Sequence, residues 1–308
     1  MEKFIKLCKI VCMMNKEQKH TVCDILSEGK DILKNANIET FDLDSRVLLS
    51  YILGIEHHLF ISNPKIEVPQ KQYKEYIKLI KRRAKNEPIA QITKEREFWS
   101  IPFKVSKHTL IPRPDSETLV DAVKKEFKDK SLPYKIIDLG TGSGCLLLTL
   151  LTEYENAIGF GIDIKDDTLK TAKENAKKLS LDNRATMIKH NWCNKQPHKK
   201  IKDKKFNIII SNPPYITKKE MKTLDKDVKK YEPRIALYGG NDGLDEYRNI
   251  SKALYYWDIV EPNGKIFLEI GKGQEADAKK IFEAFGFKFI NYFKDLNGII
   301  RVIELKKE

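Results

Sequence analysis

The tetrapeptide Asn212-Pro213-Pro214-Tyr215 directly follows an apolar run at residues 206–210 and has groups suited to holding a flat polar substrate. An amide or ring-amino nitrogen is a poor nucleophile because its lone pair is delocalised. A protein can assist it by accepting hydrogen bonds from both N–H groups. The Asn212 side-chain carbonyl and the Pro213 main-chain carbonyl can do so, and the prolines hold them stiffly because their φ angles are fixed. The tetrapeptide, with the flat ring of Tyr215, indicates chemistry at a planar nitrogen; a strand ending in a proline turn is the plain alternative.

A glycine turn at residues 140–144 is the second candidate binding element. It consists of Gly140, Thr141, Gly142, Ser143 and Gly144 and follows an apolar, strand-like segment. Glycines allow a tight turn and close approach of the main chain to a ligand. A dinucleotide-binding fingerprint would need glycine or alanine at the sixth position, which is Cys145 here. The pattern instead favours a ligand with a carboxylate and a ribose but no phosphate, such as S-adenosylmethionine.

Two further residues fit this ligand. Asp163 ends the next predicted strand, where a carboxylate can accept both ribose hydroxyl protons; a helix N-cap is its alternative role. Trp192 follows the third predicted strand and can line an adenine, or pack in the core. The glycine turn, Asp163, Trp192 and Asn212 lie in order at the carboxyl ends of successive strands. Together they predict an S-adenosylmethionine-dependent methyltransferase.

Composition excludes several classes of protein. The chain has 308 residues, 41% of them hydrophobic and 33% charged, which is typical of a soluble globular protein. No apolar stretch reaches the ~18 residues of a membrane span, and the start lacks the features of a secretory signal. The five cysteines show no CxxC spacing, so we expect reduced thiols in the cytoplasm and no metal site. They are Cys8, Cys12, Cys23, Cys145 and Cys193.

The formal charge of +13 is spread along the chain, and one local concentration of lysines surrounds the tetrapeptide. Lysines precede its strand and follow it, at positions 199, 200, 202, 204, 205, 218, 219, 222, 226, 229 and 230. A solvated surface is the plain interpretation of such runs. A basic rim that attracts an acidic macromolecule is the alternative.

The periodicity divides the chain into four segments. We expect an N-terminal extension at 1–19, with Met13 or Met14 as alternative starts, and a helical substrate-docking domain at 20–90. A β-hairpin connector follows at 91–113. Residues 114–308 alternate strands with helices and form the methyltransferase domain.

The fold class predicted for the last segment is α/β, a Rossmann-like sheet of seven strands. The strands are placed at 135–139, 158–162, 185–189, 206–210, 265–270, 287–292 and 299–305. Helices cover both faces of the sheet. The connection between the last two strands is too short for a helical crossover, so we expect the last strand to be antiparallel.

The chain resembles the release factor glutamine methyltransferase family, known as HemK or PrmC, over nearly all of residues 20–308. The resemblance rests on PIAQIT at 88–93, EFW at 97–99, LIPRPDSE at 110–117, DLGTGSG at 138–144, the NPPY tetrapeptide at 212–215, YEPRIALYGG at 231–240, DGL at 242–244, DLNG at 295–298 and RV at 301–302. The connector and YEPR segments are specific to the family, whereas many methyltransferases share the glycine turn.

The resemblance implies a helical domain that docks the protein substrate and a catalytic domain that methylates the glutamine of the Gly-Gly-Gln loop in peptide chain release factors. It assigns S-adenosylmethionine contacts to Gly140, Thr141, Gly142, Ser143, Gly144, Asp163, Trp192 and Asn212. It assigns the glutamine to Asn212, Pro213, Pro214 and Tyr215, with Asn212, Pro213 and Tyr215 as catalytic residues. The chain departs from the family at Gln91, where an aromatic residue is commoner, and at Lys94, where glycine is commoner. We therefore expect a differently shaped connector.

Three alternatives to this function remain at this point. A sibling family methylates a ribosomal-protein glutamine with the same tetrapeptide. A nucleic-acid amino-methyltransferase would flip an adenine or guanine into such a pocket, but no recognition module for RNA or DNA is evident. The third alternative is a binding module without catalysis. We expect a monomer that needs neither a membrane nor direct nucleic-acid contact, and that uses no histidine or cysteine as a base.

Overall fold

The computed structural model describes residues 20–307. The predicted extension at 1–19, with Met13 and Met14, lies outside these residues. The chain divides after Thr93 into two compact units. Within the described range, no helix is both long enough and apolar enough to cross a membrane.

The first unit is helical. Its elements are β1 (His20–Thr21), α1 (Val22–Asn35), α2 (Phe41–Leu53), α3 (Leu59–Ser62), β2 (Glu67–Val68), α4 (Gln70–Arg83) and α5 (Ile89–Thr93). Helix α1 begins with a reciprocal cap, because the Thr21 hydroxyl accepts from the Asp24 N–H while the Asp24 carboxylate accepts from the Thr21 N–H. Apolar faces of the longer helices form one core. The predicted boundary at residue 90 falls inside α5, whose buried Ile92 belongs to this core.

The second unit begins with an antiparallel hairpin of β3 (Glu95–Phe98) and β4 (Ile101–Lys104). Its turn residues Trp99 and Ser100 both have positive φ, 55° and 57°. The Trp99 N–H and indole N–H are held by the carboxylates of Glu117 and Glu153, both at 2.8 Å. Lys94 also has positive φ, 61°, the conformation that glycine adopts without strain. The departure at Lys94 therefore puts a side chain where the left-handed backbone favours glycine.

A seven-stranded sheet is the frame of the second unit. Its strands are β5 (Lys135–Leu139), β6 (Ile158–Asp163), β7 (Ala185–Lys189), β8 (Phe206–Ser211), β9 (Val260–Glu269), β10 (Phe287–Lys294) and β11 (Ile300–Lys307). Their order is β10-β11-β9-β8-β5-β6-β7. The pairs from β9 to β7 are parallel, and β11 is antiparallel to both β9 and β10. The predicted fold class is thus confirmed, including the antiparallel last strand.

Helices cover the sheet on both faces, above two apolar clusters. They are α6 (Glu117–Glu126), α7 (Cys145–Glu153), α8 (Asp166–Lys178), α9 (Glu220–Thr223), α10 (Lys226–Tyr231), α11 (Asp245–Trp257) and α12 (Glu275–Glu283), with 3₁₀ turns at Pro114–Ser116 and Arg234–Ala236. Helix α7 is buried along most of its length, which explains its nearly unbroken run of leucines.

The strand order reverses between β5 and β8. From β5 the chain continues to β6 and β7 on one side, whereas β8 and β9 lie on the other side. At such a switch point the crevice outside the carboxyl ends of the strands is a natural binding site. The glycine turn after β5, Asp163 at the end of β6 and Asn212 after β8 all meet there.

Candidate active site

A cavity of about 230 Å³ lies at the carboxyl ends of β5, β6 and β8. The predicted site residues on its wall are Gly140, Thr141, Gly142, Ser143, Asp163, Trp192, Asn212 and Pro214. Gly144, Pro213 and Tyr215 are not on the wall. Eight of the eleven residues singled out from the sequence therefore share one enclosed space.

The glycine turn is built for close packing. Gly140, Gly142 and Gly144 have φ of 81°, 57° and 82°, values that favour glycine. The N–H groups of Gly140 and Thr141 both donate to the Ile162 carbonyl at 2.9 Å, which fastens the turn to β6. A Cβ at Gly144 would lie 3.1 Å from the Leu148 side chain. The third glycine therefore serves the packing of α7, while the first two form the cavity wall.

The Asp163 carboxylate is fixed by the main chain. Its Oδ2 accepts from the Gly142 N–H at 3.2 Å, and its Oδ1 accepts from the Lys165 N–H at 3.1 Å. Burial raises the pKa of Asp163, and these main-chain donors oppose the rise. Each oxygen keeps a lone pair, so the group can still accept from two hydroxyl donors in the cavity.

Trp192 lies beside the glycine turn. A Cβ at Gly140 would be 3.3 Å from its ring, and its indole N–H donates to Glu246 at 2.7 Å. Glu246 also lines the cavity and was missed from the sequence. The half-buried indole lines the cavity and also packs against one of the two apolar clusters. Trp192 therefore combines the two roles that the sequence left as alternatives.

Asp138 lies in β5, two residues before the glycine turn, and was also missed from the sequence. Its side chain is 1% exposed, and its Oδ2 accepts from the Thr141 hydroxyl at 2.7 Å. Its Oδ1 has no hydrogen-bond partner among the described residues. Burial raises the pKa of Asp138 to about 7. A cationic group bound at the turn would favour the ionised form.

The Asn212 side-chain amide has a defined orientation. Its Nδ2 donates to the hydroxyl of Ser116 at 3.0 Å. Ser116 ends the 3₁₀ turn Pro114–Ser116 and is itself 3% exposed. Because the NH₂ end is engaged, Oδ1 is left as the acceptor on the cavity wall.

Tyr215 does not line the cavity; it is half-buried and packs against one of the two apolar clusters. Its hydroxyl donates to the Glu269 carboxylate at 3.1 Å, and its carbonyl accepts from the Gln274 side chain at 3.0 Å. Burial, and the neighbouring Glu269, raise the pKa of Tyr215 well above its usual value. These two hydrogen bonds fix the position of Tyr215 at the end of the tetrapeptide.

The segment 237–243 packs closely against the tetrapeptide and the residue that follows it. Main-chain hydrogen bonds join Ile216 to Leu237 and Gly239, at 2.9 and 3.0 Å. A Cβ at Gly239 would lie 2.6 Å from the Pro214 carbonyl oxygen, and one at Gly243 would lie 2.4 Å from the Tyr215 carbonyl oxygen. These distances leave no room for a side chain, which explains why glycine stands at both positions.

The YEPR segment secures the loop at 110–113. The Glu232 carboxylate, 7% exposed, accepts from the Ile111 N–H at 3.2 Å and forms an ion pair with Arg113. Arg113 lines the cavity together with Leu110 and Pro112. Glu232 therefore holds one wall in place by charge-assisted bonds.

The arrangement can hold a nucleoside with an attached amino acid. It provides a glycine turn, a fixed carboxylate that can accept from hydroxyl groups, and an indole face on the wall. These donors and acceptors fit S-adenosylmethionine. Among residues 20–307, no cluster of three or more His, Cys, Asp or Glu side chains is suited to a metal ion.

Each of the two units matches a known protein family. Residues 24–93 match the PrmC N-terminal domain, and residues 130–237 match a methyltransferase domain. A release factor glutamine methyltransferase from Agrobacterium fabrum is 37% identical over 290 residues, covering 93% of this chain and 98% of that protein.

One further relative and one solved structure are similar to the chain over most of its length. A bifunctional methyltransferase from Rickettsia prowazekii is 37% identical over 306 residues, yet the chain, covered to 93%, spans only 57% of that protein's length. Among solved structures, the hMettl16 catalytic domain in complex with MAT2A 3'UTR hairpin 6 superposes with a TM-score of 0.52 and 14% identity. The match covers 67% of this chain and 75% of that one, and it shows the fold alone.

Gly239→Ala should lower turnover in a methyl-transfer assay by on the order of 10- to 100-fold, because the added Cβ must displace the tetrapeptide. Gly286→Ala is the control for a glycine substitution away from the site: its Cβ would meet no atom within 4 Å, and the strain at its φ of 75° should lower stability without lowering turnover. Turnover of Gly239→Ala equal to that of Gly286→Ala would contradict the close packing of the tetrapeptide.

The pKa of Asp138 predicts a pH-dependent stability. Between about pH 4 and pH 7 the folded protein keeps a proton on Asp138 that the unfolded chain releases, so this group makes the free energy of unfolding fall as pH rises. Asp138→Asn keeps an acceptor for Thr141 but never ionises. We expect the free energy of unfolding of Asp138→Asn, relative to that of wild type, to rise between pH 5 and pH 8 by on the order of 1 kcal/mol or more. Urea denaturation of the ligand-free proteins measures this difference. A difference that stays constant with pH would refute this.

Proposed function

The chain belongs to the release factor glutamine methyltransferase family, as its motifs predicted, and from this membership we propose that it methylates a glutamine side chain of peptide chain release factors. The target is the glutamine of the Gly-Gly-Gln loop, and the methyl donor is S-adenosylmethionine. The observation that carries the proposal is the orientation of Asn212, whose NH₂ end is held by Ser116 and whose carbonyl oxygen is left to receive a substrate N–H.

Asn212 and Pro213 act on the glutamine by accepting its hydrogen bonds. The Asn212 Oδ1 takes one N–H of the carboxamide, and the Pro213 carbonyl takes the other. Both acceptors favour the positive charge that grows on the nitrogen during transfer. When bound, S-adenosylmethionine supplies a methyl group that is electrophilic because it is attached to a sulfonium sulfur.

In the proposed reaction the protein orients the carboxamide and does not provide a general base. The carboxamide nitrogen gains the methyl group and, now more acidic, loses one proton to solvent, while the carbon–sulfur bond breaks. Cys145 lines the cavity, but burial raises the pKa of its thiol to about 12, which removes it as a base at neutral pH. Rate enhancement therefore comes mainly from orientation and from the two acceptors.

The position of these residues on one cavity wall supports the proposed cofactor contacts. Gly140, Thr141, Gly142 and Ser143 would hold the donor's amino-acid part, the Asp163 carboxylate would accept from its ribose hydroxyls, and Trp192 would lie against its adenine. Gly144 shapes the turn from behind. The Tyr215 hydroxyl anchors the tetrapeptide to Glu269, and its ring is proposed to offer the glutamine a flat face.

The helical unit is proposed to dock the protein substrate, with residues 91–113 as the connector to the catalytic domain. It matches the PrmC N-terminal domain over residues 24–93. We propose that the protein works as a monomer in the cytoplasm, without a membrane or a nucleic-acid cofactor.

The substrate is tested by offering the purified protein a radiolabelled methyl donor. A release factor, the same factor with its Gly-Gly-Gln glutamine replaced by alanine, and ribosomal RNA are compared side by side. We expect label only in the unaltered release factor. Label in the RNA, or equal label in both factors, would overturn the proposal.

Asn212→Ala should reduce turnover on the order of 10²-fold or more, by analogy with the loss of one oxyanion-hole donor. Asn156→Ala is the control, because this exposed asparagine donates only to a surface carbonyl. Donor affinity is measured in parallel by equilibrium dialysis. Near-normal turnover of Asn212→Ala would show that the acceptor role is wrongly assigned.

A further inference from the structure

Trp192 lies on a stretch of chain without regular secondary structure. Residues 190–205 connect β7 to β8 through turns and irregular chain, so tertiary contacts must hold them in place. Helix α11 supplies such contacts at both of its ends. In its first turn, Glu246 accepts from the Trp192 indole N–H at 2.7 Å. In its last turn, the Trp257 indole N–H donates to the Asn194 carbonyl at 3.0 Å.

The indole ring of Trp192 is held at two opposite ends. At one end its N–H meets the Glu246 carboxylate. At the other end the six-membered ring lies against Gly140, where a Cβ would be 3.3 Å from Cη2 and 3.4 Å from Cζ3. A hydrogen bond is directional, and no side chain separates the ring from the Gly140 main chain. The two contacts therefore define where the ring lies on the cavity wall.

Glu246 is half-buried and lines the same cavity as Trp192. As an acid in the first turn of α11, it also interacts favourably with the helix dipole, which is its plain structural role. That role requires no particular partner. The distance of 2.7 Å to the indole nitrogen lies at the short end of the range for N–H···O bonds, as is typical of carboxylate acceptors. The contact with Trp192 is therefore a specific one.

We propose that Glu246 is a positioning residue that holds the Trp192 indole against the glycine turn and so shapes the adenine part of the cofactor site. The inference deepens the proposed function and rests on it, because Trp192 is assigned there to the adenine of S-adenosylmethionine. Without the Glu246 carboxylate, the indole N–H loses its acceptor and the ring can leave Gly140. The ring must then be ordered when the cofactor binds, and this ordering weakens binding.

The affinity for S-adenosylmethionine, measured by equilibrium dialysis, is the first test. Glu246→Ala should raise the Kd roughly 10-fold, because a hydrogen bond to a charged group is lost. Glu246→Gln keeps an oxygen acceptor of the same reach, so its Kd should stay close to that of wild type. An unchanged Kd in Glu246→Ala would overturn the proposal. So would equal weakening in both variants, since the carboxylate would then act through its charge.

A double-mutant cycle shows whether Glu246 acts through Trp192 or touches the cofactor itself. Trp192→Phe keeps a flat ring but removes the N–H group. If Glu246 acts through that group, the double variant Trp192→Phe/Glu246→Ala should bind no more weakly than the weaker single variant. Additive increases in Kd would contradict the positioning role.

Glu283→Ala is the matched control for the loss of a glutamate on a helix of the same unit. Glu283 is exposed on α12 and pairs only with Lys279, at 3.7 Å, among the described residues. Its Kd should equal that of wild type. Urea denaturation checks that each variant folds, and Glu246→Gln with Trp192→Phe carries the test if Glu246→Ala does not.

A spectroscopic readout without cofactor separates this inference from the proposed function. In protein labelled with ¹⁵N-tryptophan, the Trp192 indole N–H signal is identified by its loss in Trp192→Phe. This signal should shift in Glu246→Ala and stay in place in Glu283→Ala. If it shifts while wild type binds no S-adenosylmethionine, the positioning role stands and the cofactor assignment fails. If wild type binds S-adenosylmethionine and the signal does not move in Glu246→Ala, the positioning role fails.

Discussion

The hydrogen bond from Asn212 Nδ2 to Ser116 decides which end of an amide faces the cavity. An asparagine side chain presents a donor and an acceptor of nearly equal shape, and only its partners distinguish the two orientations. Chemistry at a carboxamide nitrogen needs the acceptor. The buried Ser116 supplies the asymmetry that a free side chain lacks.

The sheet brings these groups together from distant parts of the chain. Ser116 precedes the first strand of the sheet, Asn212 follows β8, and Glu269 ends β9, so the three residues span about half of the chain. Parallel β8 and β9 are hydrogen-bonded neighbours, which places their carboxyl ends side by side. The reversal of strand order between β5 and β8 opens the crevice next to them. The strand order of the sheet, rather than closeness in the sequence, brings Asn212 next to the serine that orients it.

The sequence predicted the elements well where periodicity and composition carry a signal. All seven strands of the sheet lie where alternating or continuous apolar runs indicated, with ends shifted by up to five residues at Val260. The glycine turn and the tetrapeptide are recognisable because their residue types are unusual in strands and helices. Asp138, Ser116 and Glu269 were missed as individual residues: the first two lie inside motifs quoted above, but nothing in the sequence around any of the three marks its partners or its burial. Their roles depend on burial and on partners that only the folded chain reveals, and the same is true of the inward-facing Tyr215.

The contact between Gly239, Gly243 and the tetrapeptide joins main chain to main chain. Such a contact has no rotamers through which it could relax, so a change at either glycine is felt at once. Helices α9 and α10 carry exposed lysines and make no comparable main-chain contact with the tetrapeptide among those described. Substitutions on those helices should therefore leave the tetrapeptide in place, whereas a side chain at either glycine must move its main chain.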